Sequence, residues 1–134
     1  MSANKSIAYN VKPKYGVAGS AAGTINGPGI DTAGYEEGAV CLAVGNITGN
    51  LDVKVQDSAD NSSFADVTGA AFAQIAASGD NQAVIGMLKF GGNTVRRYIR
   101  IVSTVQATFV ADHGATVLLI DGRYNPQQTP SFTV

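Results

Sequence analysis

Three stretches of this 134-residue chain hold residue types that could do chemistry. The first is Asp57-Ser58-Ala59-Asp60-Asn61-Ser62-Ser63. Two carboxylates, an amide and several hydroxyls are the kind of oxygen set that binds a hard cation such as calcium. The run lacks the spaced Asp, the central Gly and the distal bidentate Glu of an EF-hand loop. Asp, Asn and Ser also build turns unaided, so a hairpin loop is expected here and no metal site. The second stretch is Arg96, Arg97 and Arg100, with Arg123 further on. Arg97 and Tyr98 face opposite sides of a strand, so these arginines do not all converge. They suit solvated positions paired across strands with acids such as Asp52, or bidentate recognition of carboxylates on a protein partner. The third is Asp112-His113, on an expected turn at 111–114. An Asp–His pair can orient a general base, but no Gly-x-Ser-x-Gly elbow supplies a nucleophile. Cys41 lies inside the apolar run 39–44 and reads as a buried small hydrophobe. The glycines between 23 and 29 are not followed by the Gly-Lys-Ser/Thr of a phosphate loop. No catalytic, cofactor-binding or metal-ligating residue is assigned.

Composition points the same way. Glu36 and Glu37 are the only glutamates, and His113 and Cys41 are single, so the residue types of acid–base and metal chemistry are scarce. Lys plus Arg is 9 and Asp plus Glu is 10, which leaves no surplus of positive charge for nucleic acid. Charged residues make up 14%, against roughly 25% in an average soluble domain. With 45% hydrophobic content and a mean hydropathy of +0.08, the chain is expected to hide much of its surface in an oligomer or on something larger. The opening residues hold no apolar run of about seven or more, so no secretory signal is expected. No apolar stretch approaches the roughly 18 residues of a membrane span, and no membrane partner is expected. Folding in a reducing cytoplasm follows, and the Asn46 and Asn61 glycosylation patterns are discounted.

The elements that must position these residues are strands. Residues 1–29 are rich in Gly, Ala, Ser and Asn and show no sustained period; they read as an extended N-terminal arm with at most one short strand. Residues 39–44 are continuously apolar, as in a strand covered on both faces. Residues 51–57 alternate strictly, with Leu51, Val53 and Val55 opposed to Asp52, Lys54 and Gln56. Further strands are expected at 64–67, 70–75, 83–90, 97–103, 107–110 and 115–120. Seven to nine short strands without a helical period point to one all-β domain at 30–124, an antiparallel β-sandwich. Residues 125–134, with Pro126 and Pro130, form an extended C-terminal tail.

Several motifs resemble those of small structural proteins of tailed bacteriophages. They are Asp31-Thr32-Ala33-Gly34-Tyr35-Glu36, the turn Gly45-Asn46-Ile47-Thr48-Gly49, and the strand and loop Val53-Lys54-Val55-Gln56-Asp57-Ser58. Phe64-Ala65-Asp66-Val67-Thr68-Gly69-Ala70-Ala71-Phe72 and Arg97-Tyr98-Ile99-Arg100 follow, so the resemblance runs from Asp31 to Tyr124. It implies a jelly-roll-like sandwich acting as a head decoration, or cement, protein: a homotrimer on the capsid exterior that ties major capsid proteins together. No cofactor belongs to that role. The capsid-contact candidates under this reading are Tyr9, Val11, Tyr15 and Val17 of the arm, Arg97, and Phe132 of the tail. Deleting residues 1–25 is then expected to abolish capsid binding and leave the sandwich folded. The rival reading is a tail or baseplate module that binds a host surface glycan.

Overall fold

A computed structural model describes residues 10–90, 92 and 94–120. Its strands are β1 (Val11–Gly19), β2 (Gly23–Asn26), β3 (Ile30–Asp31), β4 (Glu37–Ile47), β5 (Leu51–Ser58), β6 (Ala65–Ala71), β7 (Gln82–Lys89), β8 (Tyr98–Val105) and β9 (Ala111–Ile120). They form two antiparallel sheets, one in the order β1-β9-β4-β7 and the other β2-β8-β5-β6, with β3 also on β8. The pairs β1·β9, β2 and β3·β8, β4·β7 and β5·β6 are nested. The first half of the chain therefore pairs with the second as one long hairpin wound into two layers. That is the jelly-roll arrangement of a β-sandwich.

Alternation drives the winding. In β5, Leu51, Val53 and Val55 face inward; in β9, Ala111, His113, Ala115, Val117 and Leu119 do. Val40, Leu42 and Val44 of β4 and Ile99 and Ile101 of β8 complete the layer between the sheets, each 4% exposed or less. The loops at 20–22, 48–50 and 106–110 meet at one end, joined by bonds such as Ala111 N–H to the Ser20 carbonyl (2.9 Å) and Thr48 N–H to Val110 (2.7 Å). Those at 32–36 and 90–97 meet at the other, where the Thr32 N–H donates to the Arg97 carbonyl (3.0 Å). Val11 partners Ile120 at that same end.

The sandwich begins earlier than its sequence suggests. Within the expected arm, residues 11–19 and 23–26 are strands, one in each sheet, so the boundary at residue 29 is corrected to the start of β1. The nested hairpin requires this, because β9 needs β1 as its outer neighbour. Gly16 reads as a breaker but sits at the register shift between Tyr15 and Val17. A Cβ there would lie 2.6 Å from the Ala115 carbonyl oxygen, so the glycine permits close approach within a paired strand. Gly27 does the same beside β8: its N–H donates to the Ile101 carbonyl at 2.8 Å, and a Cβ would collide with the Gly16 carbonyl oxygen.

Two further expectations change. Residues 107–110, expected as a strand, hold a turn: Thr108 has φ 69° and the Phe109 N–H donates to the Gln106 carbonyl (3.1 Å). The expected turn at 111–114 is instead the first part of β9, since Ala111 and His113 continue the inward alternation. The expected strands at 64–67 and 70–75 run together in β6, bent at its register shift against β5 and at Gly69 (φ 81°), and Ile75 adds an isolated bridge to Leu51. The tail at 125–134 lies outside the described residues, as does 121–124.

Candidate functional site

The two outer faces of the sandwich differ in kind. On the β2-β8-β5-β6 sheet, most outward residues are polar, and several bond one another around the apolar Val102. Lys54 reaches Asp66 at 2.9 Å, Gln56 donates to Asp66 at 2.8 Å, and Arg100 donates to Gln56 at 2.9 Å. The Arg100 guanidinium also lies 4.4 Å over the Phe64 ring. The Gln56 and Lys54 bonds hold the Asp66 carboxyl below the ordinary range. Such a face has its polar groups satisfied in water.

The outer face of the β1-β9-β4-β7 sheet is apolar across all four strands. Register puts Pro13, Leu118, Ala39 and Met87 in one row and Tyr15, Thr116, Cys41 and Ile85 in the next. Ala43 and Ala83 continue it in a third. Tyr15 is 61%, Ile85 64% and Met87 56% exposed, and Cys41 is half-buried. Charge enters at its two ends, with Glu37 and Lys89 as cross-strand partners at one and the outward Asp112 of β9 at the other. With strands ~4.8 Å apart and outward rows ~6.8 Å apart, the three rows cover roughly 400 Å². Isolated exposed apolar side chains are ordinary; a contiguous face of this size is on the scale of the largest patch of a typical monomer, which is often where function sits.

The sequence-derived candidates divide over this geometry. Val11 and Tyr15 lie on the apolar face, at its β1 border. Val17 does not: past the register shift it turns inward and is 1% exposed, so it is a core residue and is withdrawn as a contact. Tyr9 and Phe132 lie outside the described residues. Arg97 sits at the end of the sandwich, where Nε and Nη2 donate to the two Asp31 carboxylate oxygens at 2.9 and 2.8 Å. That bond holds Asp31 below the ordinary carboxylate range, and the fork is already occupied by an acid of the same chain. Ile85, Met87, Ala39 and Leu118 were missed. Their signal was the unbroken apolar run in β4 and β7, legible as burial but not as a docking face.

The remaining chemical residues are structural. Arg96 grips Asp57, not Asp52: Nε and Nη2 donate to Asp57 Oδ1 at 3.0 and 2.8 Å, and its backbone N–H to Oδ2 at 2.8 Å. Asp52 accepts from Gln74 instead. In the 59–64 loop, Asp60 Oδ1 accepts from Ser58 Oγ (2.8 Å) and the Ser62 and Ser63 N–H groups (both 3.0 Å). Led by the Ser63 N–H, these bonds lower its pKa to about 2, and they turn the oxygen inward on its own loop. Among the described residues, no three His, Cys, Asp or Glu side chains are grouped to hold a metal ion. His113 is buried between the sheets. Its Nδ1 lies 2.7 Å from the Ala111 carbonyl, which can only accept, so Nδ1 carries the proton. Nε2 then accepts from Ser103 Oγ at 2.8 Å, joining the two layers. Asp112 points outward on the same strand and cannot orient that ring.

Among the described residues, no helix is long and apolar enough to cross a membrane. No family model matches the chain, and no curated protein matches it in sequence. Among solved structures it is similar to the PBSX exported protein XepA, with a TM-score of 0.60 and 9% identity. The match covers 92% of this chain and 42% of that one, so this chain spans less than half of its neighbour's length. At such low identity the likeness shows a shared fold, and it extends over nearly the whole sandwich.

Proposed function

We propose that the chain is a structural protein of a tailed-phage particle, seated on the head exterior through the outer face of the β1-β9-β4-β7 sheet. Its partner in this reading is the major capsid protein, and no residue of the chain performs a reaction. The observation that carries the proposal is the apolar face itself, opposed to a polar face on the other layer whose side chains bond one another. A particle surface covers one side of each copy and leaves the other in water, which is the asymmetry this sandwich has. The motif resemblance between Asp31 and Tyr124 supports the setting, and the PBSX exported protein XepA shares the fold. Fold alone would not, since jelly rolls serve capsids and lectins alike.

The test is immunogold labelling of intact particles, joined to co-sedimentation of the purified chain with them. Regular labelling over the head is expected. Tyr15→Asp with Thr116→Asp places two charges on the β1 and β9 side of the face at exposed positions, so the variant should fold normally and lose at least tenfold in particle-bound fraction. Undiminished binding by that variant refutes the face. Gold at the tail tip would favour the glycan-binding rival, to be followed by a glycan array.

A further inference from the structure

We infer that two copies of this chain join through β7, edge to edge and antiparallel, across a twofold axis. A sheet edge carries a row of unpaired N–H and C=O groups, and proteins that stay apart blunt such edges. Three edges here are blunted. β1 has Pro13 between Lys12 and Lys14 and a register shift at Tyr15–Val17. β2 is only 4 residues long. β6 carries Asp66, Gly69 and a register shift.

β7 has no proline and no register shift, and its Gly86 is not among the glycines with positive φ. It pairs with β4 through 8 consecutive residues in unbroken register. Its one charge is Lys89 at the end. Among the described residues its other edge has no backbone partner.

The strand's sequence fits a second copy of itself. Antiparallel pairing with Gly86 on the axis sets Ile85 beside the second copy's Met87 on the outer face, so the two most exposed apolar side chains of the strand cover each other. On the inner face Val84 meets the second copy's Leu88. The same register sends the two Lys89 side chains to opposite ends, each beside the second copy's Ala83 and near its Asp80, whereas parallel pairing would set the lysines side by side. Beneath the edge, a hollow of about 100 Å³ lined by Val40, Val55, Ala70, Phe72, Gly86 and Leu88 offers apolar surface to the incoming strand. An edge wall ~27 Å long and ~20 Å high is roughly 500 Å² per copy. Two such walls bury about 1,000 Å², the lower bound of a specific interface. The product is an eight-stranded sheet with twice the apolar outer face, closed by twofold symmetry.

Sedimentation velocity over a concentration series, with hydrogen exchange on the same samples, tests this on the full chain. The expected result is a species of twice 13.7 kDa whose β7 amides gain at least tenfold protection as it forms. Ile85→Lys with Met87→Lys sets like charges opposite each other at exposed positions and should return the protein to a monomer with rapid β7 exchange. A wild-type chain that stays monomeric, or forms a trimer, overturns the inference. So does a dimer whose β7 amides remain unprotected, because that species stacks its faces and leaves the edge open. The result stands apart from particle binding, which the Tyr15 and Thr116 substitutions probe on the far strands of the sheet.

Discussion

The Arg96–Asp57 pair should break unequally depending on which partner is removed. The Asp57 side chain is 8% exposed and the Arg96 side chain 45%. Arg96→Ala leaves a carboxylate inside the protein that has lost both guanidinium bonds to Oδ1 and keeps only the backbone N–H at 2.8 Å. An uncompensated buried charge costs about 3–4 kcal/mol. Asp57→Ala leaves a guanidinium that already reaches water and can hydrate, so the loss is that of charged hydrogen bonds at a half-exposed site, about 1–2 kcal/mol. For a domain of this size these figures correspond to drops of roughly 10 °C and 5 °C in Tm. The assay is urea unfolding of both single variants and the double variant, compared at unchanged m-value, with Tm from calorimetry. The double variant should be less destabilised than Arg96→Ala alone, because removing Asp57 also removes the stranded charge. If Asp57→Ala costs as much as Arg96→Ala, burial of the carboxylate is not what sets the energy of this pair, and the reasoning fails.

Three other outcomes follow from the geometry. Asp31, Asp60 and Asp66 all titrate below the ordinary carboxylate value of 3.8 when folded, so the unfolded chain binds more protons in acid. Their contribution is complete above that value and drains as pH falls through the folded values, about 2 for Asp60; the urea midpoint should drop between pH 5 and pH 2, and a flat profile would contradict the loop and ion-pair bonding described. His113→Leu strands the Ser103 hydroxyl in the core and should cost about 2–3 kcal/mol, with Ser103→Ala in the same chain recovering part of it, as measured by equilibrium unfolding. Deleting residues 1–25 removes β1, nearly all of β2 and the buried Val17, so the expectation of an intact sandwich is replaced by loss of the cooperative melt in circular dichroism.

Elements whose pattern was periodic were legible in the sequence. Strict alternation in β5 and in 97–103 fixed inward and outward residues that the structure reproduces, from Leu51, Val53 and Val55 to Ile99 and Ile101. Where pattern gave way to residue reputation, the reading failed. Glycines at 16, 19 and 23 suggested an unpaired arm, yet Gly16 is glycine because a carbonyl of the neighbouring strand approaches it closely. Asp112-His113-Gly114 suggested a turn because all three favour turns, yet His113 faces inward and finds Ser103 on the opposite sheet. That partner lies 10 residues away and in the other layer, so no local window could reveal it. The arginines illustrate the same limit: cross-strand pairing with acids was foreseeable, but the choice of Asp57 and Asp31 over Asp52 depends on which loops share an end of the sandwich.

The continuous apolar runs carry the functional argument further than any motif. A strand buried on one side alternates, as β5 does; a strand covered on both sides need not. Residues 39–44 were expected to be covered on both faces, and among the described residues the fold covers only one. Val40, Leu42 and Val44 fill the core, while Cys41 and Ala43 look outward beside Ile85 and Ala83 of β7, which is itself apolar from 83 to 88. Helices supply the second cover in α/β proteins, but none lies over this sheet among the described residues. The sequence is thus written for one more layer than the described residues provide. Water is a poor substitute: at ~25 cal/mol per Å², covering roughly 400 Å² of such a face is a driving force on the order of 10 kcal/mol before the costs of association. A second β7 extends the face sideways without covering it, so strand pairing and face docking satisfy different unpaired surfaces, and the two can operate together on a particle.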